Sequence, residues 1–331
     1  MMAKKETIHL NLSQAAALLR MREHYIVLCH ANPDVDAIGS AVGLCRILRR
    51  LGKGAQFLCP DPIPAQYTFL TEQQEVLTLQ TVSASDLREK TIVTVDTAEL
   101  SLSGQLCDML AAYPPLLSLD HHAACKPFSQ YLYLDARAAA CAEIIAALAQ
   151  ELGVGMTAAI ALPLYAGINA DTGGFRYSNT TSQTHLRAAE LLSQGIDGTA
   201  VNRHLYEDRS LSEIAALRLA LTQMRLCFDG RVAVVSFSAA MLQENGLKDT
   251  DLDSVVNLLR SIHGVGIAAV LKPRGEELYK VSMRSKGQYT VNEICAALGG
   301  GGHACAAGCT VSAKTSQAAE QLVLAQIAKA L

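Results

Sequence analysis

Three consecutive polar residues, Asp120-His121-His122, follow the apolar run 115–119 and are the clearest candidates for chemistry in this chain. Three further apolar segments end in acidic residues in the same way, at His30-Ala31-Asn32-Pro33-Asp34-Val35-Asp36, at Asp96 and at Asp171. A carboxylate or imidazole in an apolar interior is unfavourable unless it is paired or binds a metal. In open α/β sheets, side chains at the carboxyl ends of the strands converge on one pocket. We therefore expect one shared divalent-metal site.

The donor atoms of these motifs indicate the kind of metal. The set contains many carboxylates, few imidazoles and no thiolate: His30, Asp34, Asp36, Asp96, Asp120, His121, His122 and Asp171. Such a set suits Mn²⁺ better than structural Zn²⁺, and leaves Co²⁺ or Mg²⁺ as substitutes. Because so many carboxylates repel one another around one ion, we expect two ions about 3.5–4 Å apart that share a bridging aspartate. Phosphoester hydrolysis is the natural reaction of such a pair.

Each acidic residue also has an ordinary structural interpretation. Asp36 could cap the helix that begins near Ala37, Pro33 fits a turn, and Asp96 could end a strand in water. Considered together with Asp120-His121-His122 and the run that starts at Asp171, the convergence of titratable groups favours a functional site.

Composition limits the class of protein. The chain has 331 residues, half of them hydrophobic, which predicts a globular protein of two domains. Its net charge of −3 excludes a chain-wide basic surface for long duplex nucleic acid, so a nucleic-acid partner should be short. Ten cysteines occur without a Cys-x-x-Cys pair, which indicates reduced thiols and a cytoplasmic location.

The amino-terminal residues Met1-Met2-Ala3-Lys4-Lys5-Glu6 are followed by polar residues at positions 9, 11, 13 and 14. This pattern lacks the continuous apolar segment of a secretion signal. No apolar run reaches the length of a membrane span. We therefore expect no membrane association.

The first part of the chain alternates between strand and helix patterns. Strands are predicted at Tyr25–Cys29, Ala55–Cys59, Thr91–Val95 and Leu116–Leu119, and helices at 12–22, Ala37–Leu51, Ala138–Leu152 and Thr157–Ala170. This alternation predicts an α/β fold whose mostly parallel sheet carries helices on both faces.

A second, smaller α/β domain is predicted after a connecting helix at Ser210–Leu226. Its predicted elements are strand Val232–Ser238, helix Ser254–His263, strands Val265–Leu271 and Leu278–Arg284, helix Val291–Leu298, a strand near Thr310 and helix Thr315–Leu331. We expect a catalytic domain at 1–195, a helical connector at 196–228 and a substrate-binding domain at 229–331, with a cleft between the two domains.

The glycine run 299–302, followed by His303, is a second candidate site, which we expect to be a binding loop. Glycine backbone approaches a phosphate closely because it has no Cβ. The structural alternative is a helix stop, for which a single glycine suffices. Arg284 ends a predicted strand nearby and could hold a terminal phosphate through two hydrogen bonds, or simply be exposed.

Together these motifs resemble the DHH phosphoesterase superfamily. The resemblance rests on His30-x-Asn32-Pro33-Asp34-x-Asp36-x-x-Gly39-Ser40, Asp96, Asp120-His121-His122 and Asp171-Thr172-Gly173-Gly174-Phe175-Arg176. The glycine run with His303 and Ala306-Ala307-Gly308 is similar to the signature of the DHH-associated C-terminal domain. Length and domain pairing are most similar to the nanoRNase and pAp-phosphatase group. Two positions depart from the family pattern. Val35 stands where many relatives have glycine, and the stretch 97–101 lacks an arginine that is often found there. Loops beside the metal motifs could contact the substrate.

The resemblance implies a role for each site residue. One Mn²⁺ ion would be held by His30, Asp34 and Asp96, and the other by Asp36, Asp96, His121 and Asp171, so that Asp96 bridges. His122 would face the scissile phosphate as the catalytic group, and Asp120 would orient the histidine pair. Substrate would be bound by Arg284, Gly300, Gly301, Gly302, His303 and Arg176.

The function implied by the resemblance is hydrolysis of short oligoribonucleotides (nanoRNA) to mononucleotides and of 3′-phosphoadenosine 5′-phosphate to AMP. Linear dinucleotides such as pGpG or pApA form a second possible substrate class. A RecJ-like single-strand DNA exonuclease and a nucleotide-binding sensor without turnover also stay open as functions. The oligomeric state, including a dimer, is left open.

Overall fold

The computed structural model describes residues 6–82 and 84–331. The chain divides into two compact units, one ending at Asp208 and the other spanning Arg209–Leu331. The domain boundaries predicted at 195–196 and 228–229 stay predictions. The predicted absence of a secretion signal also stays a prediction, since residues 1–5 lie outside the described residues. Within the described ranges, no helix is both long enough and apolar enough to cross a bilayer.

The first unit is built on a seven-stranded sheet in which every strand pair is parallel. Its strands are β1 (Ile8–His9), β2 (His24–Leu28), β3 (Gly54–Leu58), β4 (Val76–Leu77), β5 (Thr91–Val95), β6 (Leu117–Asp120) and β7 (Tyr131–Leu134). They lie in the order β1-β7-β6-β5-β2-β3-β4. The short strands β1, β4 and β7 were not predicted.

Helices cover both faces of this sheet, which confirms the predicted fold class. They are α1 (Leu12–Arg20), α2 (Val35–Arg50), α3 (Ala84–Glu89), α4 (Cys107–Ala112), α5 (Cys141–Glu151), α6 (Ala158–Asp171), α7 (Ser182–Leu192) and α8 (Gly198–Asn202). In β2, Tyr25 and Val27 belong to one hydrophobic cluster and Ile26 and Leu28 to another. Successive strand side chains point to opposite faces, so a strand buried on both sides is apolar throughout.

The packing of α2 against α6 brings two elements of the metal motifs together. A Cβ atom built at Gly39 would lie 2.3 Å from the carbonyl oxygen of Pro163, so only glycine permits this approach. Pro163 lies inside α6 and has no N–H to donate to the carbonyl oxygen of Ala159. Nη1 of Arg46 donates to that oxygen instead, at 2.6 Å.

Arg46 also joins α2 to the segment that precedes β4. Its Nε and Nη2 donate to the two carboxylate oxygens of Glu75 at 3.0 and 2.6 Å, and Nη1 of Arg49 donates to Oε1 at 2.7 Å. Burial raises the pKa of Glu75, but the hydrogen bonds and charge of Arg46 and the charge of Arg49 outweigh it, and the net pKa is lowered. The ionised carboxylate therefore stabilises this face of the unit.

The second unit contains a six-stranded mixed sheet in the order β12-β13-β11-β10-β9-β8, with β9 and β10 parallel and the other pairs antiparallel. Its strands are β8 (Arg225–Cys227), β9 (Val232–Ser236), β10 (Ile267–Pro273), β11 (Leu278–Ser285), β12 (Gly301–His303) and β13 (Ala306–Ser312). Its helices are α9 (Leu211–Gln223), α10 (Ala239–Glu244), α11 (Val255–Ser261), α12 (Val291–Ala296) and α13 (Ser316–Ile327). The predicted second α/β domain is confirmed.

Two local predictions in this unit were wrong. The connecting helix stops at Gln223, and Leu226 lies in β8, where it pairs with Ala233. The glycine run is not entirely a loop, since Gly301 and Gly302 form β12 with His303 and pair with β13. The secondary structure of both segments depends on pairing with strands that are distant in sequence, and the local sequence pattern does not contain that information.

Replacement of Glu75 by glutamine should lower the free energy of unfolding of the first unit by about 2–3 kcal/mol at pH 7, because two guanidinium groups lose their charged acceptor. The pKa is lower in the folded chain than in the unfolded chain. The contribution of the ionised Glu75 to the free energy of unfolding is therefore fully present above the ordinary glutamate pKa. It is lost as the pH falls through the lowered pKa of the folded chain. Urea unfolding of wild type and Glu75→Gln at pH 7 and at acidic pH measures both effects.

Glu151→Gln, which changes an exposed carboxylate at the end of α5, is the matched control and should leave the unfolding free energy nearly unchanged. A loss of stability in Glu75→Gln that stays the same at acidic pH would contradict the argument.

Candidate metal centre

Three neighbouring strands bring their carboxyl ends to one edge of the first sheet. Strands β6, β5 and β2 are adjacent and parallel. His30 lies just beyond β2, Asp96 directly follows β5, and Asp120 is the last residue of β6, followed by His121. The convergence expected from strand ends is therefore a property of the sheet order.

Two helices contribute the remaining carboxylates. Asp34 is the N-cap of α2, and its Oδ1 accepts a hydrogen bond from the amide of Ala37 at 3.0 Å. Asp36 lies inside the first turn of that helix, so the structural alternative in which Asp36 is the cap is wrong. Asp171 is the last residue of α6, so it is carried by a helix end and not by a strand.

One cluster, here called the outer group, consists of His30, Asp34 and Asp96, with one ligand atom of each within 4.8 Å of the others. Nε2 of His30 lies 3.9 Å from Oδ1 of Asp34 and 3.7 Å from Oδ2 of Asp96. Asp34 is 56% exposed at its side chain, so this group opens to solvent.

A second cluster, the inner group, consists of Asp36, His121 and Asp171. Nε2 of His121 lies 3.9 Å from Oδ2 of Asp36 and 3.5 Å from Oδ2 of Asp171. The same nitrogen is 3.4 Å from Oδ1 of Asp96. Asp96 thus directs one carboxylate oxygen to each group.

The amino end of α5 holds Asp36 in place. The amide of Cys141 donates to Oδ2 at 2.6 Å and the amide of Ala142 donates to Oδ1 at 2.9 Å. Both are first-turn amides that have no partner inside the helix, and the helix dipole favours a negative charge there. Gly167 of α6 makes room for this carboxylate, since a Cβ at that position would lie 2.7 Å from Oδ1 of Asp36.

Hydrogen bonds at Nδ1 orient the imidazole rings. Nδ1 of His30 lies 2.9 Å from the carbonyl oxygen of Ala31, and Nδ1 of His121 lies 3.3 Å from that of Ala138. A ring that donates from Nδ1 presents the lone pair of Nε2. In both residues Nε2 is the atom that faces the carboxylates, as metal ligation requires.

His122 has a different partner from His121. Oδ1 of Asp120 accepts from the backbone amide of His122 at 2.9 Å and lies 2.7 Å from its Nδ1. Asp120 is fully buried, and its hydrogen bonds fix both the backbone and the ring of His122. This is the contact expected of an orienting residue.

The shifts in pKa reflect crowding of like charges. Burial raises the pKa of Asp36 to about 7, with the charge of Asp96 adding to the shift. Burial and Asp36 raise the pKa of Asp171 well above its usual range. Burial also raises the pKa of Asp96, but the hydrogen bond of His121 and the charges of His122 and His121 outweigh it and lower the net pKa.

These residues fit a divalent cation. Oδ1 of Asp96 is buried, and Nε2 of His121 and Nδ1 of His122 face it from 3.4 and 3.5 Å, so donor atoms of three residues surround one small space. Without a cation, the buried carboxylates depend on protons and imidazoles to offset their charge. A metal ion replaces those protons, and its affinity then depends on the same carboxylates.

Asp96 also adopts a backbone conformation that the sequence does not reveal. Its φ is +51°, in the left-handed region that residues other than glycine, asparagine and aspartate rarely adopt. Such a conformation costs about 1–3 kcal/mol and persists where the surroundings enforce it. Here the amide of Asp96 donates to the carbonyl oxygen of Leu119 at 3.0 Å, which holds the residue against β6 at the end of β5.

The predicted substrate-binding residues divide between the units. Arg176 belongs to the first unit and follows Asp171 by five residues, while Arg284, Gly300–Gly302 and His303 belong to the second. In the second unit, β11 pairs with β13 and places Arg284 opposite Ala306. Nη1 of Arg284 donates to the carbonyl oxygen of Met283 at 2.9 Å.

The glycine run has a packing function within the second unit. A Cβ at Gly300 would lie 2.1 Å from the carbonyl oxygen of Gly308 and 2.5 Å from Cβ of Cys309. The chain therefore passes so close to β13 that only glycine fits. This packing explains part of the run without a ligand, and the binding role of Gly300, Gly301 and Gly302 stays a proposal.

Family comparisons agree with this geometry. Residues 24–168 match the DHH family, N-terminal domain, and residues 229–329 match the DHHA1 domain. A bifunctional oligoribonuclease and PAP phosphatase NrnA of Thermus thermophilus is 34% identical over 313 residues, covering 92% of this chain and 89% of that protein. The chain belongs to the DHH phosphoesterase family. The family resemblance of the motifs is confirmed.

Two further relatives extend the comparison. A bifunctional oligoribonuclease and PAP phosphatase NrnA of Bacillus subtilis is 28% identical over 289 residues, covering 85% of this chain and 87% of that protein. The crystal structure of an exopolyphosphatase-related protein from Bacteroides fragilis matches with a TM-score of 0.87 at 24% identity, covering 96% of this chain and 95% of that one. This structural likeness concerns the fold.

Replacement of Asp96 by asparagine should weaken Mn²⁺ binding by more than about 100-fold, since loss of a residue that only supports a ligand already costs 10–100-fold. The asparagine side chain keeps the shape of aspartate but removes the negative charge that the outer and inner groups share. Calorimetric titration of chelator-treated protein with Mn²⁺, with the bound metal counted by elemental analysis, measures the change. Asp108→Asn alters an exposed carboxylate and is the control. Equal affinity and stoichiometry in Asp96→Asn and wild type would rule out a ligand role for Asp96.

Proposed function

We propose that this chain hydrolyses short oligoribonucleotides to mononucleotides and 3′-phosphoadenosine 5′-phosphate to AMP, using two Mn²⁺ ions. The observation that carries the proposal is the sharing of Asp96 between the outer and inner groups. The two relatives named as oligoribonuclease and PAP phosphatase, each covered over most of its length, support the substrate class.

Charge supports the number of ions. The outer and inner groups together contain four carboxylates, those of Asp34, Asp36, Asp96 and Asp171. Two divalent cations carry the charge that offsets four carboxylates, whereas one cation leaves half of that charge uncompensated next to the buried Asp36 and Asp96. The mixture of carboxylates with a few imidazoles suits Mn²⁺, with Mg²⁺ or Co²⁺ as substitutes.

We assign His30, Asp34 and Asp96 to one ion, and Asp36, His121, Asp171 and the shared Asp96 to the other. When bound, the ions supply Lewis-acid chemistry that neutralises the phosphate under attack and activates water. The chain itself contributes orientation, because first-turn amides of α5 hold Asp36 and backbone carbonyl groups hold the two ligand imidazoles.

His122 is the proposed catalytic group. Nδ1 of this residue bonds to Asp120, which restrains the ring, and Nε2 is assigned to the substrate phosphate. A proton or hydrogen bond supplied there stabilises charge on the phosphate oxygens. Asp120 acts as the orienting residue and makes no contact with substrate.

The substrate-binding assignment follows the family resemblance of the motifs. We propose that Arg284, Gly300, Gly301, Gly302 and His303 bind the nucleotide end that is not cleaved, and that Arg176 binds phosphate near the metals. The absence of a basic excess in the chain as a whole limits this binding to short substrates. A cytoplasmic location agrees with such substrates and stays a prediction.

Incubation of the Mn²⁺-loaded protein with end-labelled short RNA, 3′-phosphoadenosine 5′-phosphate, pGpG, pApA and long single-stranded DNA tests the substrate class. We expect release of mononucleotides from short RNA and release of AMP from 3′-phosphoadenosine 5′-phosphate. Removal of the metal by a chelator should abolish both activities. Turnover restricted to pGpG or pApA, or degradation of the long DNA, would replace the proposal by the corresponding function. Binding without turnover would favour a nucleotide sensor.

His122→Ala in the same assay shows that the activity belongs to this centre and excludes a contaminating nuclease. It should retain Mn²⁺ and lose about 10²–10⁴-fold in kcat, the usual contribution of a general acid or base. Full activity in this variant would refute the assignment of His122.

Alanine at Arg284 should raise KM for short RNA by about 10- to 100-fold, the effect of losing a charge-assisted, bidentate contact. Hydrolysis of bis(p-nitrophenyl) phosphate, which lacks a second phosphate to anchor, should change little. Arg218→Ala removes an exposed arginine of α9 in the same unit and is the control. Equal effects of Arg284→Ala on both substrates would contradict the anchoring role.

A further inference from the structure

The segment that follows Asp171 holds one exposed arginine against the ring of a tyrosine. Arg176 is exposed, and its Cζ lies 5.6 Å from the centroid of the Tyr206 ring. A guanidinium over an aromatic face at this distance is attracted by the ring quadrupole. The contact therefore restrains a cation that would otherwise move freely in solvent.

A second contact fixes the edge of the same guanidinium. Nε of Arg176 donates to the carbonyl oxygen of Gly173 at 2.5 Å. This bond uses the Nε edge, whereas the fork of two nitrogens that binds phosphate lies at the other end of the group. One face and one edge are thus held, and the phosphate-binding end is directed away from the Gly173 carbonyl.

The tyrosine is itself fixed to the helix that carries Asp171. The hydroxyl of Tyr206 donates to the carbonyl oxygen of Asn169 at 2.9 Å, two residues before Asp171 in α6. The side chains of Asn169 and Asn202 bond to each other at 2.9 Å, which ties the preceding helix α8 to the same turn. Tyr206, its anchor and Arg176 therefore form one connected arrangement next to a carboxylate of the inner group.

The backbone on both sides of the contact is unusual. Tyr206 lies in a single π-helical turn, Arg203–Glu207, a rare conformation that is frequent at functional sites. On the other side, Phe175 has a φ of +62°, and its ring stacks on that of His185 at 5.3 Å. Strain of this kind persists only where surrounding contacts enforce it.

From this geometry we propose that Tyr206 is a positioning residue for substrate: its ring supports the guanidinium of Arg176, and its hydroxyl fixes the ring to the end of α6. The named substrate rests on the proposed function, in which Arg176 binds a phosphate of the nucleotide. The ring and the hydroxyl have separate roles: the ring lies against the guanidinium of Arg176, and the hydroxyl bonds to the backbone of α6.

The alternative is that Tyr206 merely packs, and a KM-against-kcat comparison separates the two. Tyr206→Leu removes the ring and should raise KM for 3′-phosphoadenosine 5′-phosphate by about threefold to fivefold, the size of an exposed cation–π contact, with kcat within about twofold. Tyr206→Phe keeps the ring but loses its hydrogen bond to Asn169, so its KM should lie between those of wild type and Tyr206→Leu. Mn²⁺ content and the thermal midpoint serve as folding controls, and Tyr206→Met is the second variant without a ring if leucine prevents folding.

A double-mutant cycle tests whether the effect passes through Arg176. In the Arg176→Ala background, Tyr206→Leu should raise KM no further. A full additional increase in that background, an unchanged KM in Tyr206→Leu, or an effect confined to kcat would overturn the proposal.

A measurement without substrate keeps this test separate from the proposed function. Phenylglyoxal should modify Arg176 faster in Tyr206→Leu than in wild type and Tyr206→Phe, as followed by mass spectrometry. If wild type hydrolyses none of the nucleotides, the proposed function fails, and the modification rate still decides whether Tyr206 holds Arg176. Equal rates in wild type and Tyr206→Leu would show that it does not.

Discussion

Carboxylates gathered in a small buried volume repel one another, and the first unit is organised around this repulsion. Asp36, Asp96 and Asp171 lie within a few ångströms of the same imidazole nitrogen, on three different elements. Two kinds of group in the fold offset the charge of these carboxylates. The first is the backbone amides at the start of α5, and the second is the imidazole rings that are held by backbone carbonyl oxygens. The order of the strands and the close approach of α2 to α6 both serve to place these groups.

The sequence predicts much of this site because its signals are local. A run of apolar residues followed by aspartate or histidine marks the end of a buried strand, and parallel strands end at the same edge of a sheet. His30, Asp96 and Asp120 follow that rule. Asp171 also follows an apolar segment, but that segment is the helix α6. The family, read from the same motifs, is confirmed by the relatives over most of the chain.

Other parts of the site could not be predicted because they depend on backbone atoms and distant contacts. The donors to Asp36 are the amides of Cys141 and Ala142, and a backbone N–H has no signature in the sequence. The left-handed turn at Asp96 and the π-helical turn around Tyr206 are enforced by tertiary packing. The pairing of Gly301–His303 as a strand follows from contact with β13, which local pattern does not encode.

The unequal exposure of Asp34 and Asp36 has a kinetic consequence. The carboxylate of Asp34 is more than half exposed, whereas that of Asp36 is sealed beneath the first turn of α5. Under the proposed assignment, an ion at the outer group would have a solvent-facing ligand in Asp34, whereas an ion at the inner group would have a buried ligand in Asp36. The two proposed positions would therefore differ in how readily water reaches a bound ion, although both would share Asp96.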